Sequence, residues 1–293
     1  MRLLSSRRAL ALGAALLSAV SLVATATTAA ASGGGSTIPT APKSSTLAAE
    51  VPASVRAMSP VVVAMDATYP PDEFVAANGQ IVGMDVDLIN AIGQVLGLKL
   101  KLENVAFATI LTGMGAGKYE IGMSSFTDTK AREKVVDFVD YFSAGEAFYV
   151  AANSKLKLNG LKSLCGHSVS VELGTTEASD AQSQAKKCHV GVSPYQTQSE
   201  ANLAVSSGRS QIGFADSQVA AYIVVQSKGQ FKLSGKAFET APYGIALPKN
   251  GLAKPVLGAV KELISDGIYT KIMDKWGVEP GAISKPVING ATS

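Results

Sequence analysis

The sequence lacks most of the marks of an enzyme. It holds only two histidines, both beside its two cysteines, and no Gly-x-Ser-x-Gly elbow, phosphate loop or dinucleotide fingerprint. Paired carboxylates such as Asp85 and Asp87 stand at a helix start, where acids ordinarily serve the dipole and the cap. No catalytic residue, metal or cofactor is therefore expected. Long apolar runs are missing too: residues 9–23 make a run of roughly 15, against about 20 for a spanning helix. Nor does either charge dominate. Of 26 Lys+Arg, Arg2, Arg7 and Arg8 lie in the first 31 residues, which carry no acid, and the rest balance the 23 Asp+Glu. With no basic stripe, a nucleic-acid partner is not expected.

What is present begins with an export signal. Three arginines, the apolar run and then small residues over 25–31, with Ala-x-Ala sites, follow the order of a secretory signal peptide. Residues 1–31 are thus expected to be cleaved from an exported protein, and Ser6-Arg7-Arg8 also resembles a twin-arginine signal. No cysteine lies near the cleavage region, so no lipid anchor is expected. Residues 32–54, rich in Ser, Gly, Thr, Ala and Pro without an apolar period, read as a flexible linker. At 47% hydrophobic and 17% charged, the remainder suits a soluble globular protein. In an exported chain the pair Cys165 and Cys188 favours a disulfide, closing a loop of about twenty residues for roughly 3 kcal/mol. The adjacent His167 and His189 leave a zinc site as the alternative.

From Val61 onward strands alternate with helices. Strands are predicted over 61–65, 98–102, 119–123, 168–172, 211–215 and 243–247. Helices are predicted after Asp85 up to Gly97, over 110–114, over 129–135, after Gly174-Thr175-Thr176, from Asp216, up to about Ile264, and over 269–276. This alternation implies largely parallel sheets covered on both faces. Asp66, Ser125, Thr127, Gly174 to Thr176 and Asp216 all fall just past the C-terminal ends of predicted strands, the edge where open α/β sheets bind ligands.

A free amino acid displays a carboxylate and an ammonium on one carbon, so its site needs a cationic fork, hydrogen-bond donors and a separate anion. Arg132 supplies a planar fork, Thr175 and Thr176 open a helix whose N–H groups favour an anion, and Asp216 can accept from an ammonium. Each also has a plainer reading: Arg132 as a solvated helix residue, the threonines and Asp216 as helix caps.

Several ordered segments carry a resemblance that spacing cannot. GMDVDLINAIGQVL (83–96), MSSFTDTKAREKVVDF (123–138), VELGTTEA (171–178), GRSQIGFADSQVAAY (208–222), APYGIALPKNGLAK and KIMDKWGV resemble the family 3 extracellular solute-binding proteins. That family serves ABC importers of polar amino acids. The resemblance runs over about 61–283, with Met84 where the family usually has an aromatic or another aliphatic residue. It implies an α/β, type II periplasmic-binding-protein fold: two α/β lobes joined by two crossing segments, closing by a hinge on the ligand. The crossings are expected near 149–155 and 240–244, giving lobe one as 55–149 and 243–293 and lobe two as 150–242. It implies Arg132 on the α-carboxylate with Thr127 and Thr176, Asp216 and Ser125 near the α-amino group, and Tyr69 and Phe107 packing on the ligand. Asp66 joins them as a ligand-binding position, and Asp72 replaces an aromatic that many relatives carry.

Asp66, Asp72 and Glu177 are expected to face the ligand side chain and to favour a basic or amide ligand over glutamate, so the ligand is expected to be a polar or basic amino acid. The implied partners are a free amino acid and the membrane permease of an ABC transporter, with the protein itself a monomer. Two alternatives share the scaffold: a prephenate or arogenate dehydratase, which needs a general acid in the cleft, and a sensor subunit of a membrane receptor.

Overall fold

Part of the stretch expected to be a flexible linker is helical. The structure, a computed structural model, describes residues 38–292; the expected signal peptide and the first residues of the linker lie outside them. Within the linker, Ser45–Glu50 forms helix α1, followed by α2 (Ala53–Arg56). Leu47, Val51 and Val55 recur every four residues and turn one apolar face to the core, an amphipathic signal hidden in a Ser- and Ala-rich composition. The backbone is held as well, with Ser44 N–H donating to the Val95 carbonyl (2.9 Å) and Ser44 Oγ to Glu262 (3.0 Å).

Strand β1 (Val61–Met65) leads into a small antiparallel sheet of β2 (Thr68–Tyr69), β3 (Glu73–Val75) and β4 (Ile81–Val82), turned at Asn78-Gly79. Helix α3 (Met84–Leu96) buries Leu88, Ile89, Ile92 and Val95, each worth about 1.5–3 kcal/mol over exposure, and stops at Gly97 in the left-handed conformation. Strand β5 (Leu100–Asn104), helix α4 (Phe107–Gly115) and strand β6 (Ile121–Gly122) follow. The helix expected over 129–135 is only one 3-10 turn, Arg132–Lys134. The β-branched Val135 and Val136 disfavour its continuation, and the chain enters a strand.

That strand, β7 (Asp137–Ala151), runs through the start of the loop expected at 149–155. Nearly all of it is buried, so it shows no polar alternation, and the one local sign of a crossing is Ser143-Ala144-Gly145 beside Glu146. Beyond it lie β8 (Ser168–Glu172), α5 (Thr176–Ala185), β9 (Gly191–Tyr195), α6 (Gln198–Ser206), β10 (Ile212–Asp216), α7 (Ser217–Gln226) and β11 (Phe231–Leu233). Strand β12 (Phe238–Leu247) returns beside β7, and α8 (Ala253–Ser265) and α9 (Ile268–Trp276) close the fold.

The large sheet has the order β5-β1-β6-β12-β7-β10-β8-β9, with β11 also on β7. Its two ends are parallel, as expected, while β7 and β12 pair antiparallel at its middle. Strand β7 changes partners at Glu146, where pairing with β12 gives way to pairing with β10. The core divides accordingly. Leu88, Ile92, Val260 and Ile272 belong to one apolar cluster, and Val169, Val171, Ala181 and Phe214 to another. Two α/β lobes thus share the crossing pair β7 and β12. Cys165 and Cys188 form a disulfide within the second lobe, their Cα atoms 5.6 Å apart. With each sulfur bonded to the other, neither serves as a zinc ligand. Among the described residues no helix is long and apolar enough to cross a membrane.

Candidate ligand-binding site

The edge made by the strand C-termini gathers the polar side chains. Asp66 follows β1, Ser124 and Ser125 follow β6, Glu172 ends β8, Thr175 to Glu177 open α5, and Asp216 ends β10. With Tyr69, Phe107, Thr127 and Arg132 they line one cavity. All eight expected ligand-binding residues are therefore brought together: Asp66, Tyr69, Phe107, Ser125, Thr127, Arg132, Thr176 and Asp216.

The lobes are closed on each other across this cavity. Tyr69 Oη donates to Asp216 Oδ2 (2.7 Å) and accepts from the Asp216 N–H (3.2 Å). The Thr127 and Thr176 hydroxyls meet at 3.3 Å. Arg132 donates through Nη1 to the Thr127 carbonyl (2.8 Å) and through Nη2 to the Gly174 carbonyl in the opposite lobe (2.9 Å). Its guanidinium carbon lies 5.6 Å from the Phe107 ring centre and 5.4 Å from that of Phe126, so two stacked aromatics fix its plane. Gly174, at φ +89°, makes this approach possible: a Cβ there would sit 3.0 Å from the Cα of Ala108.

Two plainer readings fall away. Arg132 is not a solvated helix residue, and the Asp216 side chain makes no cap bond to α7. Thr175 does cap α5, accepting from the Ala178 N–H at 3.1 Å.

Carboxylates outnumber cations in the cavity. Asp66, Glu172, Glu177 and Asp216 face a single guanidinium, that of Arg132. Asp66 is held by the Phe107 N–H (2.9 Å) and the Thr68 hydroxyl (2.8 Å). Glu172 and Glu177 are only 2% and 1% exposed, and one oxygen of each, Oε1, has no hydrogen-bond partner. Burial, then the Asp66 charge, raises the Glu172 carboxyl well above the usual range. Burial and Asp216 push Glu177 up to about 8. Burial raises Asp216 to about 7, with hydrogen bonds from Tyr69 and Tyr243 opposing it. A buried carboxylate without a donor is costly, and donors from a cationic ligand remove that cost.

Asp72 does not face the cavity as expected. It is fully buried behind the loop, accepting from Ser125 Oγ (2.8 Å) and from Gln218 Nε2 (2.7 Å). Asp85, which reads as a helix-start acid, accepts from Tyr141 Oη (2.6 Å) and from the Ser125 N–H (2.9 Å). These acids fix Ser125 in its left-handed conformation, φ 50°, with its hydroxyl already donated. The oxygen of that hydroxyl remains free to accept from an ammonium. Ser124 and Glu172 are site residues that motif reading missed. Glu172 carries the same strand-end position as the others, and that rule alone would have found it.

Two closed α/β lobes with a buried, polar cavity at their strand edges define a receptor for a small solute. Residues 61–279 match the model of the bacterial extracellular solute-binding proteins, family 3, and the chain belongs to that family. It is 30% identical over 249 residues to the arginine-binding protein ArgT of Corynebacterium glutamicum, covering 82% of each chain. It is 30% identical over 207 residues to the glutamine-binding protein GlnH of Bacillus subtilis, covering 68% of this chain and 74% of that one. Among solved structures, an ancestral arginine-binding protein bound to arginine aligns at a TM-score of 0.71 with 35% identity, over 75% of this chain and 98% of that one. The fold is the type II periplasmic-binding-protein fold expected from the sequence.

Proposed function

We propose that the chain captures a basic amino acid, arginine foremost, in the cleft between its lobes and delivers it unchanged to an ABC-transporter permease, acting as an exported monomer. The observation that carries this is the pair of buried, unpartnered carboxylate oxygens on Glu172 and Glu177 in a cavity where Arg132 is the one cationic side chain among the described residues. In this reading Arg132 holds the α-carboxylate with Thr127 and Thr176. Asp216, with Ser125, takes the α-ammonium. Tyr69 and Phe107 pack on the aliphatic part, and Asp66, Glu172 and Glu177 share the side-chain cation. Arginine brings a planar fork suited to several carboxylates at once. Relatives described as arginine-binding support the assignment, and a relative described as glutamine-binding makes the amide the runner-up. From the strand pairings, we set the hinge at 143–146 and 239–242, six or so residues earlier in the first crossing than the motifs suggest.

A thermal-shift screen of the twenty amino acids tests this, because a ligand that binds only the folded state raises its stability. The largest shift is expected with arginine, smaller ones with lysine, histidine and glutamine, and none with glutamate. A shift with glutamate alone would refute it. One observation favours a second reading, a dehydratase on the same fold: Glu177, held at about 8, is a protonated acid at neutral pH. Turnover of prephenate would establish that reading in place of capture.

A further inference from the structure

Beside the ligand cavity lies a second group of carboxylates that the binding reading does not use. Glu146 stands on β7 where that strand changes partners, Glu239 on β12, and Asp180 on α5. One carboxylate oxygen from each lies within 4.8 Å of the other two. Glu146 is only 5% exposed, and its Oε2 has neither solvent contact nor a hydrogen-bond partner. Glu239 sits at φ +50° where β12 slips register against β7. Lys187 is near enough to act on Glu239, yet none of the three acids takes part in a salt bridge among the described residues. All three border one open volume of about 290 Å³.

We propose that Glu146, Asp180 and Glu239 form a binding site for a hard divalent cation, Ca²⁺ in particular, that ties the two crossing strands to helix α5. Three oxygen donors with no nitrogen or sulfur ligand among them suit Ca²⁺ over zinc or copper. Mg²⁺ prefers to keep its waters and has the poorer fit. The open volume leaves room for the waters that complete a sixfold or higher shell. Without a cation, burial and the neighbouring Glu177 and Asp180 push the Glu146 carboxyl up to about 11. Helix α5 carries Thr176 and Glu177 in its first turn and Asp180 just after, and Thr127, Thr176 and Asp216 border the same open volume, so the cation sits next to the amino-acid site.

The test uses the full chain stripped with EDTA and dialysed into chelator-free buffer, then titrated with CaCl₂ by calorimetry and by thermal melting. One Ca²⁺ per chain and a melting temperature raised by several degrees are expected. Glu146→Gln and Asp180→Asn should lose both signals. Their metal-free melting temperatures should match or exceed that of the wild type, because a neutral amide replaces an acid in a crowded acidic cluster whose ionisation burial opposes. Arginine affinity of Asp180→Asn, which lies outside both the hinge and the lining of the ligand cavity, should stay within about threefold of the wild type. No Ca²⁺ heat or melting shift in the wild type would overturn the proposal, leaving a shared proton as the occupant. An undiminished response in Glu146→Gln would overturn it equally. Both readouts are independent of whether the cleft binds an amino acid.

Discussion

Binding of arginine should release protons, and its affinity should climb with pH below neutrality. In the closed, ligand-free site Glu177 titrates at about 8 and Asp216 at about 7. A bound guanidinium and ammonium favour both carboxylates in their ionised form, so each proton must leave as the ligand enters. At pH 6 the Glu177 proton lies about two units below its pKa and the Asp216 proton about one, costs of roughly 2.7 and 1.4 kcal/mol at 1.36 kcal/mol per unit. Raising the pH from 6 to 8 should therefore strengthen arginine binding, with a ceiling of roughly a thousandfold. Hydration of the carboxylates in an open, empty cleft lowers this towards tenfold. Calorimetry at pH 7 in phosphate and in Tris measures the effect, since the difference in observed heat follows the protons passed to the buffer. About one proton released per arginine is expected, and Glu177→Gln should remove much of it. Proton uptake, or equal heats in the two buffers, would refute the electrostatic account of the site.

Three further outcomes follow from the same geometry. Arg132→Ala removes the cation stacked on Phe107 and Phe126, and should weaken arginine binding by about 2–5 kcal/mol in calorimetry. Gly174→Ala places a methyl against Ala108 at an unfavourable φ, and should weaken ligand binding by hindering closure while the open form stays folded by circular dichroism. The ligand-free melting temperature should fall as pH rises from about 5 to 8. Asp72 and Glu177 both titrate near 8, above their unfolded values, so the stability they confer is full at low pH and lost on passing their folded pKa. A ligand-free melting temperature that rises over that range would contradict the burial of these acids.

Much of the fold is legible in the chain because helix stripes, their glycine stops and strand ends are local signals. Helix α3 and strands β1 and β8 follow from residues a few positions apart. The misses have a common cause in contacts distant along the chain. Strand β7 is buried on both faces by partners a hundred residues away, so its sequence shows no alternation. Asp85 reads as a helix acid until Tyr141, 56 residues on, donates to it. Asp72 reads as a pocket acid until Gln218 claims it from the other lobe. Helix α1 hides because Ser and Ala are as common in linkers as in helices. The cavity itself was legible because strand ends and family-like segments converge on it. Glu172 sits at the same kind of strand end and inside VELGTTEA, where the Gly-Thr-Thr turn beside it carried the reading.

The central claim is that the cleft recognises the side-chain cation through Asp66, Glu172 and Glu177. Arginine and citrulline share their shape, and citrulline lacks the charge, so paired calorimetric titrations of the two measure that recognition directly. Arginine is expected to bind at least about a hundredfold more tightly, the roughly 2.7 kcal/mol that goes with leaving buried carboxylates without a cationic partner. Equal affinities would contradict the account.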